Sequence, residues 1–123
     1  MKVKTSELTG HALDWAVAKC EGEKPELNRG EIVTWKTIAF EEYRLVWNPS
    51  SNWMQGGAII EREGIDVLKD GAHWTSLKTA TAHHWHIRKS GSTPLIASMR
   101  CYVASKLGDE VDIPDDVFKQ EHV

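Results

Sequence analysis

The sequence predicts an α+β domain in which two helices pack on one face of a small antiparallel sheet. Three observations predict it: apolar residues repeat at helical spacing near the N-terminus, a second helix is written out near the C-terminus with both ends marked, and short runs rich in β-branched and aromatic residues lie between them. Helices flanking a run of strands fit a two-layer arrangement.

Taken in order, Leu8, Ala12, Trp15, Ala16 and Cys20 form one apolar stripe from Thr9 to Cys20, with Gly22 placed to end it. Residues 21–30 are charged and contain Pro25 and Gly30, which reads as a surface loop. Residues 32–35 and 43–47 read as strands, with Glu41 and Glu42 between them leaving their pairing open. Residues 48–52 have the composition of a turn. After Gly56 and Gly57, residues 58–63 read as another strand, and residues 65–68 and 72–77 as a hairpin closed by Asp70-Gly71. Residues 83–87 fit one further strand before a loop over 89–92. In the final helix, Thr93 suits the N-cap, Pro94 the first helical position, and Gly108 the left-handed position after the end. Residues 1–113 read as one domain and residues 114–123 as an acidic, flexible tail.

Composition narrows the function classes. The 123 residues carry 15 basic and 18 acidic side chains, a net charge of -3 with no basic run, which argues against a coat for polymeric nucleic acid. Cys20 and Cys101 each lie in an apolar helical pattern without a C-x-x-C pair, so both read as buried reduced thiols. The N-terminus lacks an apolar signal region, and no run approaches the roughly 18 apolar residues of a membrane span. A soluble protein of the cytoplasm is expected, with no membrane partner. The oddity is the six tryptophans, Trp15, Trp35, Trp47, Trp53, Trp74 and Trp85. Trp serves as core filler, but several together raise the expectation that one lines a pocket.

Three blocks carry a resemblance. They are residues 1–22 with Leu13-Asp14-Trp15-Ala16-Val17-Ala18-Lys19-Cys20-Glu21-Gly22, the central Asn48-Pro49-Ser50-Ser51-Asn52-Trp53-Met54-Gln55-Gly56-Gly57-Ala58-Ile59-Ile60-Glu61-Arg62-Glu63, and the C-terminal helix. Together the chain resembles the NinX proteins of lambdoid phages over about half its length. Met54 and Ala58 stand where Ala and Pro are common in that pattern, and Ser92 where Pro is common. The resemblance implies a phage accessory protein from a cluster of small, often dispensable genes, placed in the host cytoplasm. It implies neither a cofactor nor a catalytic residue.

Candidate sites follow from the residues. Trp53, Gln55, Gly56 and Gly57 combine an aromatic face, an amide that donates and accepts, and glycines that admit close approach, ingredients for holding a nucleobase; an edge loop with Trp53 in the core is the plainer alternative. Glu61 and Glu63, on one strand face, suit an acid–base pair or a divalent cation, although an exposed mixed-charge face is simpler. Arg100, mid-helix on an apolar element, needs a carboxylate, Glu61 or Glu63, or else a ligand phosphate. Thr93 opens a helix whose positive end suits an anion, with Arg88 and Lys89 close by in sequence. Trp15 completes the candidate ligand set. His73, His83, His84 and His86 have metal-ligand chemistry, and His84 and His86 on one strand face with His73 on another strand would give three imidazoles, but there is no evident fourth ligand or H-E-x-x-H context, so exposed histidines are the simpler reading. Nucleophile-elbow and nucleotide-fingerprint patterns are absent.

The sequence thus points to a non-enzymatic phage accessory protein, without a cofactor, that holds a small planar anionic ligand such as a nucleotide signal and sequesters it from the host. A homo-oligomer is compatible with this. The alternative is a protein–protein adaptor acting on a host or phage protein through an aromatic surface. A metal-dependent hydrolase using Glu61 and Glu63 comes third.

Overall fold

The computed structural model of the chain describes residues 1–80 and 85–122. The elements in order are β1 (Lys2–Lys4), a 3-10 turn (Thr5–Glu7), α1 (Gly10–Cys20), β2 (Glu26–Asn28), β3 (Glu31–Ile38), β4 (Glu41–Val46), α2 (Trp53–Glu63), β5 (Asp66–Asp70), β6 (His73–Ala80), β7 (Trp85–Gly91), α3 (Pro94–Leu107), β8 (Glu110–Asp112) and α4 (Asp115–His122). The strands form three antiparallel sheets, ordered β1-β8, β2-β3-β4 and β5-β6-β7. A mixture of helices and antiparallel strands is as the sequence predicts. The single sheet is not, because α2 stands between β4 and β5 and the strands on either side of it join different sheets.

The largest revision concerns residues 53–63, expected as a loop and a strand but forming α2. Asn52 caps this helix, its side-chain oxygen accepting from the amides of Met54 (2.9 Å) and Gln55 (3.4 Å). Gly64 closes it in the left-handed conformation, φ 65°. Ile59 is buried on it and Gly56 sits one turn earlier, an i, i+3 spacing that the β-branched pair Ile59-Ile60 masks in sequence.

The core is built around α3. Its Leu95, Ala97, Ser98, Met99, Cys101, Tyr102, Val103 and Ala104 are all buried, so it is covered on nearly every side. It packs against β6 and β7 and also against α1 and α2. Ser76 on β6 and Ser98 on α3, both fully buried, satisfy each other at 2.9 Å. The start of α3 follows the sequence reading, the Thr93 side chain accepting from the Ile96 amide at 3.1 Å; Gly108 does end the helix, with φ 86°, but not in the expected left-handed position. Its ψ of -162° places Gly108 outside the left-handed helical basin, in a region open to glycine alone. The Asp70-Gly71 hairpin also forms, with Asp70 opposite His73.

The chain ends meet. β1 pairs with β8, and the Met1 ammonium donates to the Ile113 carbonyl at 2.9 Å. Beyond it, the segment read as an acidic tail carries α4, which packs against α1 and buries Val117, 2 % exposed, in the core. Acidic Asp115 and Asp116 occupy its first turn, where they favour the helix dipole, while Val117 and Phe118 supply apolar anchors that a charge tally hides. Both cysteines are free thiols, Cys101 buried and Cys20 half-buried; burial pushes them up to about 11 and about 12 respectively.

Gly56 is where α2 meets the rest of the molecule most closely. A Cβ there would stand 2.4 Å from the Pro49 carbonyl oxygen and 2.7 Å from Cδ2 of Leu95. Gly56→Ala is therefore expected to lower unfolding free energy by about 1–3 kcal/mol, as overpacking does, read as a reduced urea midpoint; an unchanged midpoint would show that this approach is not tight.

Candidate functional site

Four segments, from α1, β3, the end of β4 with the loop after it, and α3, form a cleft of about 330 Å³. One wall is the start of α1, with Thr9, His11 and Asp14. The floor is Ile32 of β3, Val46 at the end of β4 and Ile96 of α3, and the other wall is Trp47, Asn48, Ser50 and Ser51. An apolar floor with a few converging polar groups is the usual character of a small-ligand site.

The loop of residues 47–52 is held from both sides. The buried Asp14 carboxylate accepts from the Ser50 amide at 2.8 Å. From the other side Gln55 accepts from the Asn48 amide at 2.7 Å and donates to the Val46 carbonyl at 2.8 Å, so one side chain ties β4 to the loop and to α2. The Asn52 amide group adds a bond to Asn48 Oδ1 at 3.3 Å. Three polar side chains thus hold a stretch that has no strand ladder of its own.

Two features give the cleft chemistry. The indole N–H of Trp47 is buried and has no acceptor among the described residues. Such a group costs about 1–3 kcal/mol while it stays unpaired. Thr9 occupies the N-cap position of α1 without a side-chain capping bond, so the positive end of that helix borders the cleft. The acidic Glu31 on the rim is engaged by Arg44 at 3.0 Å, and Arg44 is fixed in turn by Asn28 through bonds of 2.9 Å.

Of the residues read from sequence as ligand-binding, Gln55 and Gly56 support this cleft from behind. The others lie elsewhere. Trp15 is half-buried against the core with the Lys19 ammonium 5.7 Å from its ring centroid. Trp53, 57 % exposed, opens α2, and its ring lies back toward Gly57. Thr93 caps α3. Arg88 and Lys89 engage Asp70 (3.8 Å) and Asp109 (3.5 Å) rather than the start of α3. Among the described residues Arg100 meets no carboxylate: it donates to the carbonyls of Leu8 at 2.7 Å and Ser90 at 2.9 Å, tying α3 to the segment before α1 and to β7. Burial lowers its guanidinium from the ordinary value, but an arginine stays charged across the physiological range.

Glu61 and Glu63 do not share a face, since α2 is a helix and an i, i+2 pair points in different directions. Glu61 is exposed, whereas Glu63 meets Arg62 (3.0 Å), Lys78 (3.4 Å) and Lys106 (4.0 Å). Arg62 also grips Glu21 through both terminal nitrogens, at 2.9 and 2.6 Å, and Tyr102 donates to the same carboxylate. This network joins the ends of α1 and α2 to α3. Among the described residues no group of three or more His, Cys, Asp or Glu side chains is arranged to hold a metal ion; His83 and His84 lie outside the described residues.

These features define a small mixed α and β protein assembled around one buried helix, with a polar-rimmed cleft at the start of α1. A family model described as Bacteriophage P22, NinX matches residues 4–106, and the chain belongs to that phage family. No curated protein matches it. Among the described residues no helix is long and apolar enough to cross a membrane.

Burial raises the Glu21 carboxyl, but the hydrogen bonds from Arg62 and Tyr102 outweigh it and hold the group below the usual carboxylate range; the Arg62 bond does the same for Glu63. With both folded values depressed, their stabilisation is present above the unfolded carboxylate value of about 4.3 and is lost as pH falls through the folded values. Glu21→Gln is expected to lower Tm at pH 7 and to flatten the fall in Tm from pH 5 downward. Melts of the two proteins that stay parallel would contradict a role for this network.

Proposed function

We propose that the protein binds a small planar anionic ligand in the cleft at the start of α1, performs no chemistry on it, and thereby sequesters a nucleotide-type signal in the host cytoplasm. The observation that carries this reading is Trp47, which lines the cleft and whose buried indole N–H has no acceptor among the described residues. A ligand oxygen or ring nitrogen would supply the acceptor once the ring turns its buried N–H toward the cleft. The positive end of α1 favours negative charge beside it, and Glu31, engaged by Arg44, opposes an anion less than a free carboxylate would.

A second reading, contact with a host or phage protein, is supported by the arm of β3 and β4. Ile38, Phe40, Tyr43 and Leu45 are exposed along it, with Phe40 at its tip fully so at 103 %.

The ligand reading is tested by thermal shift and Trp fluorescence over a panel of mononucleotides and cyclic oligonucleotides. At least one compound is expected to raise Tm, since a ligand at about 100 times its Kd adds about 2.7 kcal/mol. Trp47→Phe keeps an aromatic wall and removes the donor, and is expected to weaken that compound about 5- to 30-fold, the equivalent of about 1–2 kcal/mol. A panel without any shift overturns the proposal, as does full affinity in Trp47→Phe.

A further inference from the structure

The open edge of β4 carries a self-complementary pattern. Its sheet has the order β2-β3-β4, so one side of β4 is unpaired among the described residues. The Trp47 amide donates to the Ile32 carbonyl at 2.8 Å, which makes those two a hydrogen-bonded pair. Alternation along an antiparallel ladder then turns the backbone groups of Leu45, Tyr43 and Glu41 toward β3, and those of Val46, Arg44 and Glu42 outward. The Val46 carbonyl confirms the alternation, because Gln55 reaches it from outside the sheet at 2.8 Å. Glu42 and Arg44 are left with outward backbone groups on an exposed edge, the kind of edge that recruits another strand.

We propose that β4 pairs with β4 of a second copy, antiparallel, about a two-fold axis at Tyr43. Outward groups must face outward groups, so the two-fold falls on Glu42, Tyr43 or Arg44. On Glu42 or on Arg44 it sets like charges directly opposite each other, which is destabilising. On Tyr43 it sets Glu42 of each copy opposite Arg44 of the other, twice, although the Arg44 guanidinium also bonds Asn28 and Glu31 of its own chain through Nε and Nη2, and it brings the two Tyr43 rings together at the closely spaced, non-hydrogen-bonded position. An isologous contact of this kind is closed and self-limiting.

The same register bears on the exposed apolar residues at the tip of the β3–β4 arm and at the start of α2. It sets Phe40 of one copy opposite Val46 of the other. Val46 lines the cleft, and its outward carbonyl accepts from Gln55 in the first turn of α2, the turn that also carries Trp53 and Met54, 57 % and 87 % exposed. Phe40 is held at the tip by a turn in which both Ala39 and Phe40 have positive φ, 51° and 68°. Neither is glycine, and a left-handed residue with a side chain costs about 1–2 kcal/mol. Docking of Phe40 against the second copy offsets that strain, and it places an aromatic side chain of one copy at the rim of the other's cleft. The proposal stands whether or not the cleft takes a nucleotide.

The test is sedimentation velocity of the full chain over a concentration series, together with oxidative crosslinking. The wild-type chain is expected to sediment as a dimer. Glu42→Arg and Arg44→Glu each shift it toward monomer, with dimer Kd raised about tenfold or more, equivalent to at least about 1.4 kcal/mol, and mixing the two variants restores dimer because opposite charges then face each other at both positions. Phe40→Ser, at a solvent-exposed tip, weakens the dimer in the same direction. Tyr43→Cys forms a disulfide between copies on mild oxidation, since the paired positions fall within disulfide reach, while Glu42→Cys, displaced from its own counterpart, does not. A wild-type chain monomeric at every concentration overturns the proposal, as does a dimer indifferent to all three charge and tip variants, or a disulfide formed by Glu42→Cys in preference to Tyr43→Cys.

Discussion

The interaction on which the rest of the molecule depends is the two-sided hydrogen bonding of Gln55. Its amide oxygen takes the Asn48 amide and its amide nitrogen reaches the Val46 carbonyl. One uncharged side chain thereby fixes where β4 stops, how the chain turns, and where α2 starts. Each bond contributes about 1 kcal/mol, a modest sum, but the geometric consequence is larger than the energy. The loop walls the cleft, the end of the β4 edge sets how far a second strand can run, and Gly56 brings the helix down onto Pro49 and Leu95.

That junction works because α3 gives it something rigid to press against. A helix buried on nearly every side accommodates sheets and helices at once, and its polar groups settle their needs locally: Ser98 with Ser76, Arg100 with two carbonyls, Tyr102 with Glu21. Arg100 was the most pointed ligand candidate in the sequence because a cation on an apolar helix demands a partner. Backbone oxygens at the open end of a 3-10 turn and at the end of β7 meet that demand, so the charge serves architecture. The cleft forms at the opposite kind of place, where an indole N–H is enclosed without an acceptor among the described residues and the Thr9 side chain makes no capping bond to its helix.

Much of this was legible in the chain, and the gaps have physical causes. α1 and α3 announce themselves by spacing and caps, and Asp70-Gly71 marks its hairpin, because these signals are local. α2 was hidden by Gly56, Gly57 and the pair Ile59-Ile60, all poor helix formers in isolation. Asn52 before the segment and Gly64 after it were the readable signs of a helix, and tertiary burial of Ile59 overrides the weak propensity. The pairing of β1 with β8 joins chain ends that no local pattern connects, and α4 shows only two apolar residues amid charge. Gln55 and Gly56 stand out in sequence for their chemistry, a flexible amide and a residue that permits close approach, and both use it on neighbouring loop groups. Asp14 and Trp47 do not announce themselves in sequence as site residues, because what sets them apart is a partner gained, or lacking among the described residues, far along the chain, which a single residue type does not reveal.

The most direct measurement is amide hydrogen exchange on the wild-type chain and on Gln55→Ala under native conditions. If Gln55 organises the junction, the Asn48 amide loses its acceptor and exchanges about tenfold faster or more, matching a loss of about 1.4 kcal/mol of local protection, while Met99 and Val103 in the middle of α3 keep their protection. An Asn48 amide equally protected in both proteins would contradict the account, since the loop, the cleft wall and the end of the β4 edge would then be held by something other than this side chain.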